Sequence, residues 1–141
     1  MMKNQKGFTL VELLAVIVIL AVVILIAVTA VIPRMNDARK GAFADEAMAY
    51  IRGAQEAYVE SQMDGGAGST CFTVAWLNAN KIDKKATDYE GWVTLDANGA
   101  GTAYIKNSKY MVKGKSGSLS KTSVEAAGSL GTQPTGCVTN S

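Results

Sequence analysis

The chain is 141 residues long, room for one domain, and its 48% hydrophobic against 18% charged residues would ordinarily mark a compact, core-forming protein. Its 14 Lys and Arg against 12 Asp and Glu, a formal net charge of +2 with no long run of one sign, give no electrostatic footprint for nucleic acid. The absence of histidine removes the commonest general base and metal ligand, and with it zinc chemistry and His-based triads.

The average conceals a steep asymmetry. Residues 13–32 are twenty positions at which Thr29 is the one non-apolar side chain, and at 1.5 Å per residue a helix of that length spans about 30 Å, the hydrocarbon thickness of a bilayer. The β-branched run Val16-Ile17-Val18-Ile19 would favour a strand in water, but in lipid the backbone must satisfy its own hydrogen bonds, which selects helix. The globular part therefore begins after residue 33 and has roughly a hundred residues for its core. A secretory signal peptide would use Lys3 and Lys6 as its basic region and Val28-Thr29-Ala30 as its cleavage site. That reading leaves Glu12 unexplained, a carboxylate at the head of the apolar run. An unpaired charge costs about 2.5 to 3.5 kcal/mol at mid-bilayer on insertion scales, so such a residue is a functional hypothesis by default. Charge leaves the orientation open, because Arg34, Arg39 and Lys40 follow the span just as Lys3 and Lys6 precede it.

The segment Lys6-Gly7-Phe8-Thr9-Leu10-Val11-Glu12-Leu13-Leu14 resembles the processing site of type IV prepilins and pseudopilins, and the resemblance is close over about the first thirty residues. It implies a class III leader at residues 1–7, cut by prepilin peptidase between Gly7 and Phe8 on the cytoplasmic side, with methylation of the new Phe8 amine. It further implies an assembly role for Glu12 and Phe8, the carboxylate of one subunit meeting the amine of another. The fold implied is α+β, the pilin fold: a long N-terminal helix, hydrophobic over 8–33 and amphipathic over 34–63, packed by its C-terminal half against a small antiparallel sheet in a head at 64–141. The partners implied are further copies in a homopolymeric helical filament, the peptidase, the pilus assembly platform, and the lipid bilayer before assembly. The implied location is a single pass in the cytoplasmic membrane and then an extracellular pilus on the bacterial surface. Neither enzymatic activity nor a cofactor is expected. Alternatives are a minor pilin or pseudopilin serving secretion or DNA uptake, and a membrane-anchored adhesin domain that never assembles.

Beyond Pro33 the pattern turns amphipathic, with Ala47, Ile51, Ala54 and Tyr58 on one face at spacings of four, three and four. One helix from residue 8 to about residue 62 would be near 82 Å long, too long for a small domain to cover. Pro33 removes an intrahelical hydrogen bond and should bend it, while Gly41 and Gly53 weaken it. The stripe covers too few heptads for a coiled-coil seam and suits a seat for the domain's own sheet. The breaker cluster Met63-Asp64-Gly65-Gly66-Ala67-Gly68-Ser69 ends the helix. Thr73 can cap a short helix through Val74, Trp76 and Leu77 to about Asn80. Residues 91–95 and 102–106 read as strands joined by a turn with the Asn98-Gly99 hairpin signature, and 109–113 follows as a third strand of a meander. The remainder is small and polar, with a weak helical stretch around Val124-Glu125-Ala126-Ala127.

The two cysteines, Cys71 and Cys137, lie 66 apart and form no CxxC motif. A disulfide suits a domain facing an oxidising exterior, and two buried free thiols are the alternative. Closing so long a loop would contribute roughly 4 kcal/mol, and pairing would tie the tail back beside the end of the long helix. Gly114-Lys115-Ser116 resembles the end of a P-loop, but Lys109 occupies the position of its first glycine. Residues 65–69 could wrap an anion with backbone amides, yet no catalytic or metal-binding set accompanies them, and a flexible connector is the simpler reading. Asp83, Asp88 and Glu90 beside Lys84 and Lys85 match no EF-hand spacing and read as solvated surface.

Overall fold

The computed structural model describes residues 7–83 and 88–140, so Lys84 and Lys85 lie outside the described residues. Contacts divide the chain into two compact units, Met1–Asn36 and Asp37–Ser141, each of which is taken by itself. Helix α1 runs over Leu10–Met63, 54 residues, and continues without a break through Pro33. In the first unit every described side chain is exposed, so the apolar residues of α1 present their surface on all sides: Leu14 is 55% exposed and Ile17 54%. This part of α1 is long and apolar enough to cross a membrane.

In the second unit α1 buries Phe43, Ala44, Ala47, Tyr50, Ile51, Ala54 and Ala57 along one side. These include Ala47, Ile51 and Ala54 of the stripe read from sequence, and Tyr58 packs against the same cluster at its margin. The stripe seats the domain's own sheet. Small residues let helix and sheet approach closely: a Cβ at Gly101 would stand 2.3 Å from Ile51 Cγ2. Burying a side chain such as Ile51 contributes roughly 1.5 to 3 kcal/mol.

The sheet has five antiparallel strands in sequence order: β1 (Cys71–Thr73), β2 (Glu90–Leu95), β3 (Gly101–Lys106), β4 (Tyr110–Lys115) and β5 (Val124–Ala126). Together with α1 this is an α+β, pilin-like arrangement. Its inner face is apolar, with Phe72, Val93, Leu95, Ala103, Ile105, Val112 and Val124 buried against the helix, and the period-2 alternation of strands sends their neighbours outward. Helix α2 (Val74–Asn80) follows β1 and is capped by Thr73, whose hydroxyl accepts from the Trp76 amide at 3.3 Å. The β2–β3 turn is held by Asp96, whose carboxylate accepts the amides of Asn98 and Ala100 at 2.9 Å each, while Gly99 supplies a φ of +78°.

The structure departs from the sequence reading in three places. The helical stretch around Val124 is instead a 3₁₀ turn, Lys121–Ser123, followed by strand β5, because Val124 is apolar enough to enter the core opposite Val112 and the chain there completes the ladder. Strand β1 was not expected; its three residues sit between a glycine-rich loop and a helix cap, too few to show alternation. The third strand begins one residue later than read, at Tyr110, and continues to Lys115.

After β5 the chain crosses the outer face of the sheet. Leu130 covers Trp92, and the tail reaches β1, where Cys137 is joined to Cys71 by a disulfide. Val138 adds a parallel bridge beside Phe72: its amide donates to Cys71 O at 2.9 Å and its carbonyl accepts from the Thr73 amide at 3.0 Å. The disulfide thus ties the tail to an edge strand, as a strap across the sheet.

Candidate processing and assembly site

Gly7 and Phe8 precede the first turn of α1 and are exposed, Phe8 to 89%. Nothing lies within 4 Å of the place a Cβ would take on Gly7. The chain's own packing does not require a glycine there, so any requirement for one must come from what binds the segment.

Thr9 and Glu12 close the helix end reciprocally. The Thr9 hydroxyl accepts from the Glu12 amide at 3.3 Å, and Glu12 Oε2 accepts from the Thr9 amide at 3.2 Å and the Thr9 hydroxyl at 3.3 Å. The Leu13 amide donates to Thr9 O at 3.2 Å. This is a capping box, with Thr9 at the N-cap and Glu12 three residues on, satisfying backbone donors that the helix itself leaves open. The carboxylate also opposes the positive end of the helix dipole. The Thr-x-x-Glu signature stood in Thr9-Leu10-Val11-Glu12; reasoning that treats Glu12 only as a charge beside a membrane misses it.

The head holds a second cluster of polar groups. The Tyr89 hydroxyl donates to Glu46, and the Tyr50 hydroxyl donates to Asn78 Oδ1 at 2.7 Å. Burial, and after it the bond to Glu46, pushes the Tyr89 phenol well above its ordinary range; burial raises Tyr50 likewise. Lys81 bridges Glu60 and Glu56, at 3.4 Å from the latter, and the bond to Glu60 raises its pKa. Glu46, Tyr50, Glu56, Lys81 and Tyr89 line a groove of about 390 Å³ between α1 and the segment after α2. Among the described residues no group of three or more His, Cys, Asp or Glu is placed to hold a metal. Asp83, Asp88 and Glu90 are exposed, and Gly114 and Lys115 end β4 with no phosphate cradle formed around them.

Residues 2–28 match the prokaryotic N-terminal methylation motif. The N-terminus resembles that of type IV prepilins and pseudopilins. The match takes in Gly7, Phe8, Thr9 and Glu12 together with most of the apolar run, and it supports a type IV pilin-like or pseudopilin protein whose apolar helix anchors it in a membrane before assembly. No curated protein and no solved structure matches the chain.

Proposed function

We propose that the chain is the structural subunit of a type IV pilus-like filament, cut between Gly7 and Phe8 by prepilin peptidase, methylated on Phe8 and polymerised through residues 8–33. The observation that carries this reading is one juxtaposition: the methylation motif, with its exposed Gly7-Phe8 junction, opens directly onto a capped helix whose apolar surface is unburied on every side. Apolar patches beyond a few hundred Å² mark surfaces that need a partner. Lipid serves in the stored subunit, and other copies serve in the filament. Pro33, inside α1, is the place where the helix bends to fit that packing. The head, residues 64–141, travels outside the membrane and ends on the filament surface, where an oxidising exterior suits the Cys71–Cys137 bond.

In the filament core a lone carboxylate would be costly, and the amine that cleavage creates on Phe8 is the available cation at that level. Glu12 of an incoming subunit meets the Phe8 amine of a neighbour, which compensates charge and fixes axial register. The contact is head-to-tail and non-closing, so it builds fibres and not rings. The subunit acts by assembly, and it works with the peptidase and a membrane assembly platform. Loss of Lys3 and Lys6 with the leader leaves 12 positive against 12 negative side chains, since 14 less 2 is 12.

Mass spectrometry of the mature N-terminus tests the reading. The expected species has 134 residues, 141 less the leader of 7, and begins at methylated Phe8. An intact leader, or a start at Val31, refutes it.

A further inference from the structure

The near-neutral total hides a segregation of charge within the second unit, Asp37–Ser141. Residues 106–121 contain five lysines, Lys106, Lys109, Lys113, Lys115 and Lys121, and no Asp or Glu. Residues 45–64 contain five carboxylates, Asp45, Glu46, Glu56, Glu60 and Asp64, against the single cation Arg52.

The fold places these two stretches on opposite sides. Val112 points into the core, so its neighbour Lys113 and then Lys115 stand exposed on the outer face of β4. Their rows across the sheet run through Tyr104 and Trp92, and through Thr102 and Thr94, with no carboxylate in either. Lys106 pairs with Glu90 at 3.4 Å and Lys121 with Asp37 at 3.1 Å, while Lys113 and Lys115 have no ion pair among the described residues. Asp45, Glu56 and Glu60 on α1, and Asp64 one residue past its end with its amide still donating to Glu60 O at 3.1 Å, follow at spacings of eleven, four and four, which at 3.6 residues per turn confines them to about 100° of arc. That arc is the solvent side, away from Ala47, Ile51 and Ala54. Lys81 is shared by Glu56 and Glu60, whose side chains stay 64% and 57% exposed, so two carboxylates answer one ammonium and the stripe remains negative.

We propose that, in the polymer, the lysine-bearing face of β4 of one subunit seats on the carboxylate stripe of α1 of a second copy of this chain. The proposal rests on the filament reading and adds a contact between heads to the one at Phe8 and Glu12. Three features favour a second copy as the occupant. The charges are complementary. The spacings agree, since residues two apart on a strand lie about 6.7 Å from one another and residues four apart on a helix about 6 Å, so Lys113 and Lys115 can meet two successive carboxylates. The surfaces differ and face opposite ways, so each subunit offers one and receives the other, the heterologous contact that repeats without closing. Exposed ion pairs are individually weak and screened by salt. The contact therefore selects orientation and register, and repetition along the filament gives it weight.

The test uses the processed chain, beginning at Phe8, assembled from an equal mixture of isotopically light and heavy copies, treated with a carbodiimide that joins amines to adjacent carboxylates, and mapped by mass spectrometry. Mixed light–heavy links from Lys113 or Lys115 to Glu56, Glu60 or Asp64 are expected. In parallel, Lys113→Glu with Lys115→Glu should lower recovered polymer roughly tenfold at low ionic strength and less at high salt, and adding Glu60→Lys with Asp64→Lys in the same chain should restore it. Polymer whose inter-copy links avoid Lys113 and Lys115, or a chain carrying only Lys113→Glu and Lys115→Glu that polymerises as the wild type does, overturns the proposal. A wild-type chain correctly cut at Phe8 that never yields polymer overturns the filament reading instead, and this contact with it.

Discussion

The strap formed by residues 127–140 gives the sharpest stability prediction. Replacing both Cys71 and Cys137 by serine opens a loop of 66 residues; by the chain-entropy relation this costs about 4 kcal/mol at 25 °C. A domain of this size is stable by only about 5 to 15 kcal/mol, so between a quarter and most of the margin would go. What remains to hold the tail is modest: the two backbone bonds of Val138, the bond from the Thr73 hydroxyl to Val138 O at 3.0 Å, those from the Ala127 amide to Lys109 O at 2.9 Å and from Asn140 Nδ2 to Ala75 O at 3.0 Å, and Leu130 over Trp92. The rest of the tail is mostly exposed. Local opening of the tail should then precede global unfolding. Trp92 reports it, being 6% exposed and stacked on Tyr104 with ring centroids 5.4 Å apart. The assay is denaturant unfolding of the full chain in detergent followed by tryptophan fluorescence, with a soluble quencher to read access to Trp92. Thiol reduction of the wild type is the companion measurement, because it opens the loop without burying a serine at Cys71. Both should show a loss near 4 kcal/mol and quenching that rises before the main transition. A loss under about 1 kcal/mol in both, at an unchanged denaturant slope, would refute the strap as a stabilising element.

Two further predictions follow from named contacts. Gly101→Ala places a methyl against Ile51 Cγ2 and should destabilise the head by about 1 to 3 kcal/mol; Ile51→Ala alone should cost about 2 to 5 kcal/mol. Together they should cost at least about 1 kcal/mol less than their sum, because the new methyl enters the space vacated, and strict additivity in thermal melts would refute the close approach. Glu12→Ala should leave cleavage after Gly7 and membrane insertion intact while surface filaments become sparse or absent, as counted in sheared preparations beside the cleaved subunit. Cleaved Glu12→Ala protein that assembles at wild-type levels would remove Glu12 from the account.

How much of this could be read from sequence differed along the chain for physical reasons. The long helix was legible because two strong patterns meet end to end, a solid apolar run and a stripe at helical spacing, and its ends at Leu10 and Met63 fall close to those expected. The cap at Thr73 and the hairpin at Asn98-Gly99 were legible because turn chemistry is local. Strand β5 was not. Ser-Val-Glu-Ala-Ala has helical composition, and what makes Val124–Ala126 a strand is an edge of the sheet offering partners at Tyr110, Met111 and Val112, which no local pattern contains. The segregation of lysines and carboxylates was visible in the sequence but carried no meaning there. Its meaning lies in the fold, which turns β4 and the solvent side of α1 to opposite faces of one head.

The capping box sharpens what a Glu12 experiment can decide. Glu12→Ala removes two things together: hydrogen bonds to the Thr9 amide and hydroxyl, and a negative charge in the first turn of α1. Loss of such a cap alone costs roughly 0.5 to 2 kcal/mol and frays the residues that must dock, so sparse filaments from this variant would not by themselves identify an ionic role. Cleavage raises the stakes at the same place. The proposed cut would put an ammonium on Phe8 at the positive end of the helix dipole, where Glu12 is the acidic residue of the first turn. Glutamine at the third helical position still reaches back to the N-cap amide as a capping box requires, with nearly the same volume and no charge. Glu12→Gln therefore keeps the cap and subtracts the ion pair. If the pair with a neighbour's Phe8 amine drives register, Glu12→Gln should be helical and cleaved like the wild type yet fail to assemble almost as fully as Glu12→Ala. Wild-type assembly by Glu12→Gln alongside failure by Glu12→Ala would assign the residue to the helix end of its own chain and not to the filament.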